Sequence, residues 1–123
     1  MQYAVLCYHD ERIVGAWTKE EDDAVLGRIH GVQQRLAQAG GFVGSARLMP
    51  TTAATSLRKG DEPLVLDGPF VETKEQLLGF YLIDVENLEA ALQFARELAE
   101  VNPGPGGYEV RPLSLFVPGA GLA

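Results

Sequence analysis

Apolar positions along this chain switch between two periods, and the switches mark its elements. Tyr3 to Tyr8 is apolar at every position, which predicts a strand covered on both faces. His9 to Trp17 reads as a polar loop. Thr18-Lys19-Glu20-Glu21 then fits a capping box, a hydroxyl followed three residues later by a glutamate. Glu20, Asp22 and Asp23 add negative charge where a helix N-terminus favours it. Val25, Ile29, Val32 and Leu36 recur at helical spacing, and Gly40-Gly41 ends the helix.

Phe42 to Leu48 predicts a second strand with Gly44 as its bulge, and Met49 to Ala54 a loop. Thr55 to Arg58 and Pro63 to Leu66 flank Lys59-Gly60-Asp61-Glu62, a hairpin pattern. Thr73 and Gln76 match a second capping box, which predicts a helical turn before the long strand Leu77 to Val85. Asn87 caps another helix with Leu88, Ala91, Leu92, Ala95 and Leu98 as its buried stripe. Asn102 to Gly107 breaks that helix, and Tyr108 to Leu115 predicts the last strand. The domain is expected over residues 1–115, with residues 116–123 a Pro/Gly-punctuated tail.

This order predicts an α+β fold of the ferredoxin-like type, βαββαβ with an inserted hairpin and both helices on one sheet face. Strands apolar on both sides need cover on the other face too, worth about 1.5–3 kcal/mol for each large side chain buried. A second copy of the chain supplies it, so the expected assembly is a homodimer with its sheets face to face, of the dimeric α+β barrel type.

Composition narrows the partners. At 123 residues and 46% apolar content the chain fits one domain with a modest core. Its 17 acidic residues against 10 basic ones give a net charge of -7, which argues against nucleic acid and anionic membrane. The N-terminus lacks a secretory signal, and the apolar stretch Leu77 to Ile83 falls far short of the roughly 20 residues that span a bilayer. A soluble cytoplasmic protein is expected. With one cysteine no internal disulfide forms; Cys7 reads as a small buried hydrophobe, and His9 is expected to point away from it. No metal or cofactor is expected, because His9 and His30 are the only histidines and Gly104-Pro105-Gly106-Gly107 lacks the lysine of a phosphate loop.

The segment Asp67-Gly68-Pro69-Phe70 puts a carboxylate at the end of an apolar run, beside a pair that turns the chain abruptly. It resembles the signature of DGPF-domain proteins, a branch of the YCII-related family. The resemblance extends from Met1 to Leu115 through the opening strand, the helix with His30, Gly79-Phe80-Tyr81-Leu82-Ile83-Asp84-Val85, and Glu109-Val110-Arg111-Pro112-Leu113. It implies the same fold, a dimer, and His30 with Asp67 as the candidate site.

Read from the residues alone, His30 is a boundary histidine beside Ile29, and Asp67 a turn residue accepting backbone N–H bonds. In the functional reading the corner aims Asp67 at His30 across a pocket near the dimer interface, fixing the imidazole tautomer for proton transfer. Gly68 and Pro69 set that corner and Phe70 walls it. Arg47, at a strand end, either holds an anionic group, pairs with Glu72 or is a solvated charge; Tyr81 packs in a strand with a hydroxyl that needs a partner. Trp17 lines a pocket or staples the helix start, and His9 with Asp10 is a weaker polar pair on a loop. The leading expectation, which the resemblance implies, is proton-transfer or lyase-like chemistry on a small polar molecule. The alternatives are a ligand-binding or regulatory module tied to sigma-factor transcription control, which the resemblance suggests, and a dimeric scaffold.

Overall fold

The computed structural model describes residues 1–119; the end of the expected tail, residues 120–123, lies outside the described residues. Strand β1 (Gln2–His9) opens the chain, and a short helix α1 (Glu11–Gly15) follows where a loop is predicted. Asp10 makes the difference: its carboxylate accepts the Arg12 N–H at 2.9 Å and caps the turn. Helix α2 (Lys19–Gln38) starts at Thr18 with both halves of the capping box in place. It ends at Gly40-Gly41, where the Gly41 N–H donates to the Leu36 carbonyl at 3.0 Å.

Strands β2 (Phe42–Arg47) and β5 (Gln76–Asp84) join β1 and β6 (Gly107–Pro112) in a four-stranded sheet of order β2-β5-β1-β6, antiparallel throughout. Strands β3 (Thr55–Arg58) and β4 (Leu64–Asp67) form a separate two-stranded sheet, the predicted hairpin. Helix α3 (Leu88–Val101) is capped by Asn87, whose side chain accepts from the Ala90 N–H at 3.0 Å. Among the described residues no helix is long and apolar enough to cross a membrane.

Several boundaries differ from the sequence reading. Thr73 and Gln76 make no helical turn: Thr73 donates to the Glu75 carbonyl and Gln76 to the Thr73 carbonyl, both at 2.6 Å, and the chain runs into β5. The β2 bulge falls at Val43, between Phe42 and Gly44, rather than at Gly44 itself. A second irregularity, between Cys7 and Tyr8, leaves Leu78 without a partner on β1. The last strand stops at Pro112 instead of Leu115. In α3 the stripe includes Phe94, while Leu88 is exposed.

Period-2 alternation places the core. Tyr3, Val5 and Cys7 on β1 and Tyr81 and Ile83 on β5 share one buried face with Val32 of α2 and Ala91, Phe94, Ala95 and Leu98 of α3. Burial of such side chains contributes about 1.5–3 kcal/mol each. On the other face Ala4, Leu6, Phe80 and Leu82 are half-buried, and Phe116 and Leu113 border a crevice with Val43 and Leu82. The run of apolar residues in β1 is thus fully buried on one side and partly covered on the other.

Candidate functional site

At the β1 C-terminal end, the helix-covered side of the sheet opens into a cavity of about 200 Å³. Val25, Leu26 and Ile29 of α2 supply apolar wall opposite Leu78 and Tyr81 of β5. Cys7, His9, Trp17 and Asn102 also line it, as do Arg47 and Asp22.

His9 arrives here by strand alternation, continuing the buried series Tyr3, Val5, Cys7. It is 2% exposed. Its Nε2 lies 2.8 Å from the Pro103 carbonyl oxygen. A carbonyl accepts only, so Nε2 carries the proton, and in the neutral ring Nδ1 is a bare acceptor. Nδ1 is buried and makes no hydrogen bond to any described residue. Trp17 holds the ring edge-on, with centroids 5.8 Å apart.

The glycine segment after α3 presses on this ring. A Cβ at Gly104 would sit 2.8 Å from His9 Cε1, and one at Gly106 would sit 2.0 Å from the Tyr8 carbonyl oxygen. Both glycines adopt positive φ, 110° at each, which other residues rarely reach. These glycines bring Pro103 to the histidine as well as ending a helix.

Cys7 and His9 stand two residues apart on a strand, so they share a face, and the expectation that they diverge is corrected. Burial nevertheless pushes the Cys7 thiol up from its ordinary value, against the smaller opposing effect of Tyr108. It is therefore a thiol wall, not a thiolate nucleophile. Asn102 donates to the Tyr108 hydroxyl at 2.9 Å behind it.

Tyr81 lies where expected, in β5, and its hydroxyl makes no hydrogen bond to a described residue. Burial pushes its pKa up to about 12, so it remains a proton-bearing donor at neutral pH. Arg47 pairs not with Glu72 but with Asp22 on α2: Nη1 donates to Oδ2 at 3.1 Å and Nη2 to Oδ1 at 2.9 Å. The two forks meet in a bidentate clasp between helix and sheet. Beside it Gln33 donates to Ser45 at 3.3 Å. Among the described residues no three His, Cys, Asp or Glu side chains gather as metal ligands.

The remaining sequence candidates stand elsewhere. His30 is exposed on α2, turned away from the face that carries Ile29 and Val32, and has no hydrogen-bond partner among the described residues. Asp67 ends β4 opposite Thr55 and is exposed. Its corner is held by backbone: the Gly68 N–H donates to the Ala54 carbonyl at 2.8 Å, and Ser56 donates to the Gly68 carbonyl at 2.7 Å. Pro69 is half-buried, and Phe70 is exposed with the Arg58 guanidinium 4.6 Å above its ring. Within one chain His30 and Asp67 share neither a hydrogen bond nor the cavity, and Gly68, Pro69 and Phe70 do not line it. Of the candidate site, the cavity gathers Arg47 and Tyr81. His9 was reachable from sequence by carrying the alternation of β1 two residues further.

Fold and cavity together define a small α+β protein with a mainly apolar site between α2 and the sheet. The chain belongs to the YCII-related family, whose domain model matches residues 1–117. An uncharacterized protein of Rhizobium meliloti (strain 1021) is 57% identical to it over 120 residues, 97% of each chain.

Proposed function

We propose that this chain is a soluble cytoplasmic homodimer of the ferredoxin-like, dimeric α+β barrel type that performs acid–base chemistry on a small molecule in the cavity. The sheet order β2-β5-β1-β6 with α2 and α3 on one face supports the fold type. The half-buried apolar face of Ala4, Leu6, Phe80 and Leu82 and the exposed hairpin support the dimer. In this reading His9 Nδ1 is the base, and the Tyr81 hydroxyl donates to oxygen as negative charge develops there. His30 and Asp67 act together only if the second subunit brings them to one place.

One observation carries the reading: a buried imidazole with one nitrogen committed to Pro103 and the other unpartnered, in the wall of a cavity. A buried acceptor left unsatisfied costs about 1–3 kcal/mol, and such a cost is retained where function requires it. The test is the nitrogen-15 spectrum of the histidines at neutral pH. The proposal requires His9 to be neutral with its proton on Nε2; a proton on Nδ1 defeats it. Cyclic ketones in D2O then probe turnover: α-proton exchange lost in His9→Gln supports chemistry. Binding in the cavity without exchange supports the ligand-binding alternative.

A further inference from the structure

We propose that Asp22 makes the cavity selective for neutral molecules of about one ring that offer a hydrogen-bond donor, by withholding Arg47 from anions. The inference rests on the cavity being a small-molecule site and adds the class of ligand. Asp22 and Arg47 are the two charged residues in its wall, and each occupies the other's fork through two hydrogen bonds. An anionic ligand must replace Asp22 to gain the guanidinium, and would then leave a carboxylate facing it. The overall charge of -7 adds to that penalty.

The neutral polar groups set the rest. Gln33 and Ser45 share one hydrogen bond, while the His9 Nδ1 acceptor and the Tyr81 hydroxyl make none to a described residue. A hydroxyl satisfies both kinds of partner, since it donates and accepts. The body of the ligand meets Val25, Ile29 and Leu78. A cavity of about 200 Å³ has room for one ring with a substituent, given that about 150 Å³ admits benzene.

Phenol, benzoate and benzene test the inference by NMR titration of the full chain, followed at the Trp17 indole and the Tyr81 amide. Phenol is expected to shift both signals, with benzoate and benzene each at least about tenfold weaker, and benzene binding as well as phenol overturns the donor requirement. Asp22→Asn should strengthen benzoate about tenfold or more while leaving phenol within about threefold. Arg47→Gln, which removes the cation, should give benzoate no such gain. Benzoate binding the unaltered protein as well as phenol does, or gaining nothing in Asp22→Asn, overturns the neutral-ligand inference and leaves the cavity reading standing. If no probe moves a cavity signal, both fall.

Discussion

The cavity side and the hairpin side of this protein handle their distinctive residues in opposite ways. Around the cavity, His9, Tyr81 and Cys7 are buried and their polar atoms are counted: each is paired, or conspicuously unpaired. On the hairpin, Leu57, Leu64, Val65 and Leu66 face solvent together with Phe70 and Val71. A lone two-stranded hairpin is marginal in water, and alternation exposes Leu57 with its partner Val65 on one face and Leu64 and Leu66 on the other. The most recognisable sequence, Asp67 to Phe70, thus sits beside an exposed apolar hairpin, while the buried polar residues His9 and Tyr81 sit beneath α2. Recognisability and chemical constraint are separate properties.

The largest contrast is expected in stability. Ile83 is fully buried, and Ile83→Ala should cost about 2–5 kcal/mol in urea unfolding. Val65 is 65% exposed, and Val65→Ala at low protein concentration should stay within about 0.5 kcal/mol. A large cost at Val65 under those conditions would show the hairpin packed within its own chain and erase the contrast.

Next comes the glycine support of His9. Gly106→Ala places a methyl against the Tyr8 carbonyl at a φ of 110°, so a cost of about 1–3 kcal/mol is expected. The more telling readout is the His9 nitrogen spectrum. Displacing Pro103 should remove the partner of Nε2 and let the two tautomers mix. An unchanged spectrum in a folded variant would mean that the glycines serve the chain turn alone.

The hairpin has its own, milder test. If the proposed dimer uses this hairpin, Leu57→Ser with Val65→Ser should weaken self-association about tenfold or more in sedimentation, while the unfolding midpoint measured at low concentration hardly moves. If association is unaffected, the second copy is held by the sheet face that carries Leu6 and Phe80. That outcome returns to the face-to-face arrangement expected from the double-sided apolar strands.

These contrasts also explain what was legible in the sequence. The α2 cap, the α3 cap and the hairpin depend on neighbours within a few residues, so local patterns reveal them. Arg47 and Asp22 are 25 positions apart, and their clasp depends on how α2 lies across β2. His9 depends on Pro103, 94 positions away, meeting it through two glycines. Asp10 misled in another way: its residue type marks a loop, yet the same carboxylate starts α1. His9 and Asp10 read as a polar pair on a loop by residue type, whereas strand alternation and the distant Pro103 carbonyl decide the burial of His9.

The smallest expected effect compares one carboxylate from each side. Asp10 is buried beside His9, and its hydrogen bonds from Arg12 hold its pKa well below the ordinary 3.8, at about 2. A depressed carboxylate pKa favours the folded state while the unfolded one would take up the proton. Its contribution is therefore full above 3.8 and drains away as the pH falls through about 2. Asp10→Asn keeps a side-chain oxygen for the α1 cap but loses the charge. The unaltered protein should thus exceed this variant in stability at neutral pH, with the gap closing across that acid window. Asp67→Asn, at an exposed corner held by backbone hydrogen bonds, should leave stability nearly unchanged at neutral pH. A gap at Asp67 as large as that at Asp10 would place its carboxylate in a contact made only in the assembled protein, and so return the signature corner to the chemistry.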